Sequence, residues 1–247
     1  MELVEWDARV YDSLPLPHEH WGRAVVERLA LTGDETVLDI GCGSGRDAGL
    51  LLERLPRGQV VAVDGSVHML EQLRATIGDD PRVTAVQSDL RQPFTLDEPA
   101  DAAISVATLH WVPDIDVVFR SLAACLRPGG RFVAECGGRG NIAAFQHALA
   151  EVTGSSDSDM WEFRDVDQTR DSLLTAGFVD VEVRLVEDPA RLERGEQLDT
   201  FVATVLLAAH LHDLPPAERR PFVQAVTARM PEPVVDYVRL QLEATRA

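Results

Sequence analysis

The chain has 247 residues, 45% of them hydrophobic, which is enough for one large globular domain. Its 41 acidic and 23 basic residues give a formal net charge of −18, so the surface repels phosphate backbones and we expect no nucleic-acid partner. Every basic residue is an arginine, which excludes Schiff-base chemistry and a lysine general base.

Two predicted helices come first in the chain. One covers residues 2–12 and the other residues 18–30, with Pro15 and Pro17 between them. Strands and helices then alternate, which predicts a parallel sheet with helices on both faces. The predicted strands are 36–40, 59–63, 82–86, 101–106 and 131–136, and the predicted helices are 46–55, 66–76 and 114–126.

The C-terminal third follows a different pattern. A helix over 168–176 is followed by alternating strands over 178–186 and 235–242, and helices over 195–211 and 216–229 lie between those strands. The prediction is an α/β fold of Rossmann-like, doubly wound type, with seven mostly parallel strands and an antiparallel edge strand. We expect one domain, made of an N-terminal helical lid (1–30), a core (31–190), a helical cap insertion (191–232) and a last strand (233–247).

Cysteine usage and hydropathy favour a cytoplasmic protein. Cys42, Cys125 and Cys136 form no CxxC pair, so neither a disulfide framework nor a metal site is expected. The acidic N-terminus lacks a signal-peptide core, and the apolar runs are too short to cross a membrane.

The strongest chemical signal is the sequence Asp39-Ile40-Gly41-Cys42-Gly43-Ser44-Gly45, where a buried strand runs through three glycines into a helix. Glycine lets the backbone approach a ligand, and the helix N-terminus offers free N–H groups, so a nucleotide-like ligand is expected here. The dinucleotide fingerprint does not fit, because its third glycine would fall at Arg46. Asp39 would repel a pyrophosphate but suits a ligand with an amino or sulfonium cation, such as S-adenosylmethionine.

Two further acids follow the next strands. Asp64 ends the second strand about 20 residues past the glycines, where a carboxylate accepts hydrogen bonds from ribose hydroxyls. Asp89 follows the third strand, where it could accept from an adenine amine. Their alternative roles are a helix N-cap for Asp64 and a surface turn for Asp89.

This set of features resembles the class I S-adenosylmethionine-dependent methyltransferases, closely over residues 36–136 and loosely over the N-terminal helices. Residues 107–112 (ATLHWV) and 133–141 (VAECGGRGN), with Trp6-Asp7 and Tyr11, are similar to the trans-aconitate methyltransferase-like group. The resemblance implies cofactor contacts from the lid, the glycine loop and the strand ends. These are Tyr11, Asp39, Gly41, Cys42, Gly43, Gly45, Asp64, Gly65, Met69, Ser88, Asp89, Leu90, Ser105 and Val106.

Histidines are the candidate general bases, should the acceptor need to lose a proton. His110 follows the fourth strand at the mouth of the crevice, with a structural role beside Trp111 as its alternative. His18 and His20 lie on the lid, where positions i and i+2 diverge too far to bind a metal together.

The acceptor is expected to be a small molecule, neutral or weakly acidic, with a substantial apolar part. Its predicted contacts are Trp111, Phe201 and Val205, and Arg139 could clamp a carboxylate. Core packing or a homodimer contact would also explain the apolar side of the cap, and a solvated surface position would explain Arg139. A non-methylating enzyme on the same fold, such as a cyclase, stays open as an alternative. Asp39 and Arg46 disfavour a nicotinamide oxidoreductase. The intact glycines and acids disfavour a binding module that has lost its catalytic activity.

Overall fold

A computed structural model describes residues 18–155, 160–212 and 214–247, and the side chains of His18 and Glu19 lie outside that description. The predicted helix over 2–12, with Tyr11, falls outside the described residues. No helix among the described residues is long and apolar enough to cross a lipid bilayer.

The predicted seven-stranded α/β sheet is confirmed, with strand order β3-β2-β1-β4-β5-β9-β6. Strands β1 to β5 pair in parallel, while β9 runs antiparallel between β5 and the edge strand β6. The predicted place of the antiparallel strand at the edge is wrong, because the last strand inserts between β5 and β6. The strands are β1 Thr36–Ile40, β2 Gln59–Asp64, β3 Val83–Gln87, β4 Ala100–Val106, β5 Leu126–Gly137, β6 Phe178–Glu187 and β9 Val238–Arg246.

Helices connect these strands. The helices are α1 His18–Arg28, α2 Arg46–Arg54, α3 Val67–Ile77, α4 Ile115–Cys125, α5 Ala143–Thr153, α6 Val166–Thr175, α7 Glu196–Phe201, α8 Ala208–His212 and α9 Pro216–Thr227. A 3-10 turn covers Leu109–Trp111, and a π-helical turn covers Val202–Leu206 between α7 and α8. Local sequence sets several of the ends: Asp165 and Gln168 form a capping box at the start of α6, and Ser66 caps α3.

Two apolar clusters cover the two faces of the sheet, which is why the central strands β1 and β4 are largely hydrophobic and buried. The cap side chains Leu198, Phe201 and Val202 belong to the same cluster as Trp21 and Val25 of α1. The cap and the N-terminal helix therefore share one core on one face of the sheet. The division into lid, core, cap and last strand stays a prediction.

Three elements were missing from the sequence prediction. Helix α5 follows the glycine-rich turn after β5, and its N-cap is Ile142 at a φ of 51°, so no capping side chain marks its start. A small two-stranded antiparallel sheet pairs β7 Ala190–Arg191 with β8 Val234–Val235, which are far apart in the chain. The π turn interrupts what reads in sequence as one continuous helix over 195–211.

Candidate functional site

A cavity of about 280 Å³ lies at the carboxyl ends of the parallel strands, the edge where ligands bind in open α/β sheets. Its wall has two halves, joined by Val106, Ala107 and Thr108 at the end of β4. The acidic half follows β1, β2 and β3 and consists of Gly41, Cys42, Gly43, Ser44, Arg46, Asp47, Asp64, Gly65, Ser66, Met69, Asp89, Leu90 and Arg91. The aromatic half consists of His110, Trp111, Val112, Pro113, Asn141, Ile142, Met160, Trp161, Phe163, Val205, Leu206, Ala209, Tyr237 and Arg239.

The glycine loop after β1 needs its glycines for geometry. Gly41 has a φ of 71°, and a Cβ there would lie 2.1 Å from Cγ2 of Thr108. The N–H groups of Gly41 and Cys42 both donate to the carbonyl of Val63, at 2.8 and 3.1 Å. The loop is thus folded tightly between β2 and β4, with its backbone facing the cavity.

Asp64 holds this loop in place. Its Oδ2 accepts from the N–H of Gly43 at 2.9 Å, and its Oδ1 accepts from the N–H of Ser66 at 2.9 Å. Each carboxylate oxygen can accept more than one hydrogen bond, so the side chain can still accept from a ligand in the cavity. The predicted ribose role stays a prediction, and the structure adds a second role that the sequence did not suggest.

Two carboxyl groups lie next to the loop, the buried Asp39 and the half-buried Asp47. Asp39 is 1% exposed and does not line the cavity, whereas Asp47, in the first turn of α2, does. Oδ2 of Asp39 and Oδ1 of Asp47 have no hydrogen-bond partner among the described residues. Burial raises the pKa of Asp47 to about 6, and burial together with the charges of Asp47 and Asp64 raises the pKa of Asp39 well above its usual range. These groups favour a cationic ligand.

Asp89 already has a strong partner in the structure. The guanidinium of Arg91 donates to both of its carboxylate oxygens, with Nε at 2.9 and 3.1 Å and Nη2 at 2.8 Å. This contact lowers the pKa of Asp89. An adenine amine would therefore have to share the carboxylate with Arg91, which the sequence did not predict.

Three other predicted cofactor contacts lie outside the cavity wall. Ser105 is fully buried and donates to the carbonyl of Ile40, because it packs between β4 and β1. Gly45 caps α2 at a φ of 90°, and its α-carbon faces Leu73 of α3. Ser88 is absent from the wall, and its N–H donates to the carbonyl of Asp64.

The aromatic half is a set of rings in mutual contact. The centroids of Trp161 and Phe163 are 6.1 Å apart with nearly parallel planes, and Trp111 lies 5.8 Å from Trp161. His110 lies 5.7 Å from Phe163 and 5.3 Å from Trp111. Flat faces of this kind suit a planar or apolar ligand.

His110 is buried and fixed by the backbone. The N–H of Gly137 donates to its Nδ1 at 3.3 Å. Burial and the nearby charge of Arg239 lower the pKa of His110 well below its usual range, so the ring is neutral at pH 7.

Arg239, near the start of β9, places a cation in the aromatic half. Because β9 is antiparallel, its first residues lie beside the last residues of β5, with Arg239 opposite Gly137. The guanidinium carbon lies 3.7 Å from the ring centroid of Trp21, and Nε donates to Oε1 of Glu135 at 3.4 Å. Arg239 and Glu135 are 2% and 1% exposed.

Several predicted site residues lie elsewhere. Arg139 does not line the cavity, since its side chain is 63% exposed and Nη2 pairs with Asp165 at 2.8 Å. His20 is exposed, contacts Asp188 at 2.8 Å and does not line the cavity. Phe201 is buried where the cap packs on the core, while Val205 and Trp111 line the cavity. Tyr11 and the side chain of His18 lie outside the described residues.

The residues that sequence reasoning missed fall into two groups. Asp47 could have been noticed, as an acid in the first turn of the helix after the glycine loop. Met160, Phe163, Tyr237 and Arg239 carry no motif and come together through strand pairing and loop packing alone, and Asn141 ends the 133–141 segment without having been assigned a role.

Comparison with known proteins supplies independent information. A family model described as a methyltransferase domain matches residues 37–130. A trans-aconitate 2-methyltransferase of Azoarcus sp. (strain BH72) is 35% identical over 128 residues, which are 52% of this chain and 49% of that protein. An uncharacterized methyltransferase of Schizosaccharomyces pombe is 28% identical over 210 residues, 79% of this chain and 80% of that protein. The chain spans about half the length of the trans-aconitate methyltransferases it matches.

Solved structures share the fold. The YcgJ protein from Bacillus subtilis superposes with a TM-score of 0.66 at 14% identity, covering 93% of this chain and 99% of that one. The [4+2]-cyclase SpnF superposes with a TM-score of 0.61 at 20% identity, covering 92% of this chain and 81% of that one. At these identities the likeness establishes the fold alone.

Proposed function

We propose that this chain is a class I S-adenosylmethionine-dependent methyltransferase, which transfers a methyl group from S-adenosylmethionine to a small molecule. The observation that carries the proposal is the division of one cavity into an acidic, glycine-lined half and an aromatic half. A cationic nucleoside fits the first half, and a compact apolar acceptor fits the second.

The residues present suit the cofactor. The backbone of Gly41 to Gly43 leaves room for close approach, since a Cβ on Gly43 would meet only Sδ of Met69 at 4.0 Å. The unpartnered Oδ1 of Asp47 and the raised pKa of that group favour a neighbouring cation, which the amino group or the sulfonium would provide. Asp64 would accept from ribose hydroxyls, and Met69 and Leu90 would pack against the adenosine.

When bound, S-adenosylmethionine supplies an activated methyl group on a good leaving group, so the protein mainly aligns the acceptor and excludes water. In this chain Val106, Ala107 and Thr108 lie between the two halves and would border the transfer. The backbone of Ala107 is held at a φ of 55°, a strained value for a residue with a Cβ. The rings of Trp111, Trp161 and Phe163 would cover the acceptor from solvent.

A small acceptor follows from the size and lining of the aromatic half. Val205 and Leu206 of the π turn and Ala209 of α8 form its apolar side. The formal charge of −18 disfavours long-range attraction of polyanions, but screening limits this effect to about 8 Å at physiological salt. The relatives named trans-aconitate 2-methyltransferase keep a carboxylic acid among the candidates.

The test is cofactor binding followed by turnover. S-Adenosylhomocysteine should raise the melting temperature of the purified protein, as any native-state ligand does, and NAD should not. Incubation of S-adenosylmethionine with a panel of small acids, phenols and amines should release S-adenosylhomocysteine with at least one of them. Binding without turnover on any acceptor would favour the non-methylating alternative, and no binding would refute the proposal.

A further inference from the structure

The aromatic half contains two polar groups whose chemistry the proposed function leaves unused, His110 and Arg239. We propose that together they form a binding subsite for a carboxylate of the acceptor, with His110 acting as a hydrogen-bond donor and not as a general base. The inference rests on the proposed function and names the class of acceptor that the cavity would select.

The hydrogen bond from Gly137 decides the tautomer of His110. A neutral imidazole has one nitrogen that accepts and one that carries the proton. Because the N–H of Gly137 donates to Nδ1, the proton of the neutral ring is on Nε2. The lone pair that a general base would need is thus occupied, and the ring offers an N–H instead.

The packing around Gly137 fixes its backbone N–H, and with it the hydrogen bond to Nδ1 of His110. It is the last residue of β5, and a Cβ there would lie 2.6 Å from Cε1 of Phe163 and 2.7 Å from Nδ2 of Asn141. The backbone N–H is therefore held in a packed environment. Burial and the charge of Arg239, the charged group that acts on His110, both keep the imidazole neutral.

Arg239 supplies the charge of the subsite. Its two hydrogen bonds to Glu135 are long, from Nε to Oε1 at 3.4 Å and from Nη2 to the backbone carbonyl at 3.5 Å. No hydrogen bond between described residues uses its Nη1. One face of the guanidinium rests on Trp21 at 3.7 Å, which orients the plane while leaving its edge for a ligand.

The distribution of charge supports an anion here. Asp47, Asp64 and Asp89 line the acidic half together with Arg46 and Arg91, whereas Arg239 is the ionic side chain among the described residues of the aromatic half. Two carboxylates interact with Arg239 from behind the wall and do not line the cavity: Glu135, which also accepts from Nε2 of Gln241 at 2.9 Å, and Asp188, which accepts from Trp21. A carboxylate would thus meet a buried guanidinium and an imidazole N–H, both suited to its oxygens.

The tautomer can be tested without any ligand. The imidazole nitrogens of His110 should appear in ¹⁵N–¹H spectra as an unprotonated Nδ1 and a protonated Nε2, unchanged between about pH 6 and pH 9. His147, whose side chain is 78% solvent-accessible, serves as the exposed reference imidazole. A protonated Nδ1, or titration of His110 within that range, would overturn the donor role.

The subsite can be tested with cinnamate and cinnamamide, which share one flat shape and differ in charge. With the protein saturated by S-adenosylhomocysteine, we expect cinnamate to bind at least about tenfold more tightly than the amide by calorimetry. Equal affinities, including no measurable binding of either compound, would overturn the subsite. Failure of S-adenosylhomocysteine itself to bind would instead refute the proposed function.

Variants locate the effect on Arg239. Because Arg239→Gln alone would strand a buried Glu135, the informative variant is the pair Arg239→Gln and Glu135→Gln, which should abolish the preference for cinnamate. Glu135→Gln alone should retain or increase it, since a competing anion is removed. Arg139→Gln, in the exposed ion pair with Asp165, is the matched control and should leave it unchanged. A preference that survives the double change would overturn the assignment.

Discussion

The acidic and aromatic halves of the cavity are built in different ways. The acidic half comes from three short stretches between Gly41 and Arg91, each of which directly follows a parallel strand. The aromatic half extends from His110 to Arg239 and draws on loops, the cap and the reversed strand β9. The conformation of the acidic half is set by local sequence at the strand ends, whereas that of the aromatic half is set by tertiary packing. The two halves should therefore respond differently to substitution.

The two halves also differ in the number of their polar groups and in how those groups are hydrogen-bonded. In the acidic half, Asp64 is held by backbone N–H groups and Asp89 by an arginine, and Asp47 has a buried oxygen that lacks a hydrogen-bond partner in the described part of the chain. In the aromatic half the rings supply most of the surface, and polar groups are few. A ligand that spans the cavity would therefore meet electrostatic recognition at one end and shape recognition at the other.

The largest expected effect concerns Gly41. Gly41→Ala places a Cβ 2.1 Å from the side chain of Thr108 at a φ of 71°, so the loop must move. We expect S-adenosylhomocysteine affinity to fall by more than about 100-fold, because loop displacement removes several contacts at once. Calorimetry measures this affinity.

Gly49→Ala is the matched control for that change. Gly49 lies within α2, and a Cβ there would meet nothing within 4 Å. It should leave cofactor affinity unchanged and stabilise the protein by about 0.5–1 kcal/mol. Normal affinity in Gly41→Ala would show that the loop does not hold the cofactor.

The second prediction separates the two roles of Asp64. Asp64→Asn keeps an oxygen for one backbone N–H but removes the charge and one acceptor, so S-adenosylhomocysteine affinity should fall by about 10- to 100-fold. Asp80→Asn, in the pair with Arg82 outside the cavity, is the control. If the ligand-free melting temperature falls while affinity is unchanged, Asp64 only anchors the loop.

The contrast between the halves also explains what the sequence could predict. The alternation of strands and helices, the presence of an antiparallel strand and most of the acidic half follow from hydrophobic periodicity and from glycines placed after a buried strand, whereas the strand order does not. Asn141, Phe163 and Arg239 could not be found in this way, because their position depends on the pairing of β5 with β9 and on a turn into α5 that no capping residue marks. The sequence points to Arg139 because of its glycine-rich neighbourhood, whereas no local feature marks Arg239.

The third prediction addresses the aromatic half. Trp161→Leu removes a flat ring that contacts Phe163 and Trp111, and should weaken cinnamate binding about tenfold while leaving S-adenosylhomocysteine affinity within about twofold. Phe222→Leu, a cap aromatic that packs on the core outside the cavity wall, is the control and should change neither affinity. A large loss of cofactor affinity in Trp161→Leu would show that the halves are not independent.

The smallest change in binding is expected at Asp47. Its carboxylate is expected to favour cofactor binding but to lower the stability of the folded protein. Its pKa is raised from 3.8 to about 6, so the folded state binds more protons than the unfolded state between those values. Folding stability should therefore fall as pH rises from about 4 to about 6 and stay level above that, by up to about 3 kcal/mol for a shift of this size.

Asp47→Asn cannot ionise and lacks that contribution. It should be more stable than the parent protein above about pH 6 and equally stable near pH 4, as measured by urea unfolding at each pH. Cofactor affinity should fall only severalfold, because the carboxylates of Asp64 and Asp89 still line this half. Asp47 would then contribute to binding of the cationic ligand while lowering the stability of the ligand-free protein. A variant that is less stable than the parent at pH 8 would show instead that the Asp47 carboxylate has a stabilising partner there.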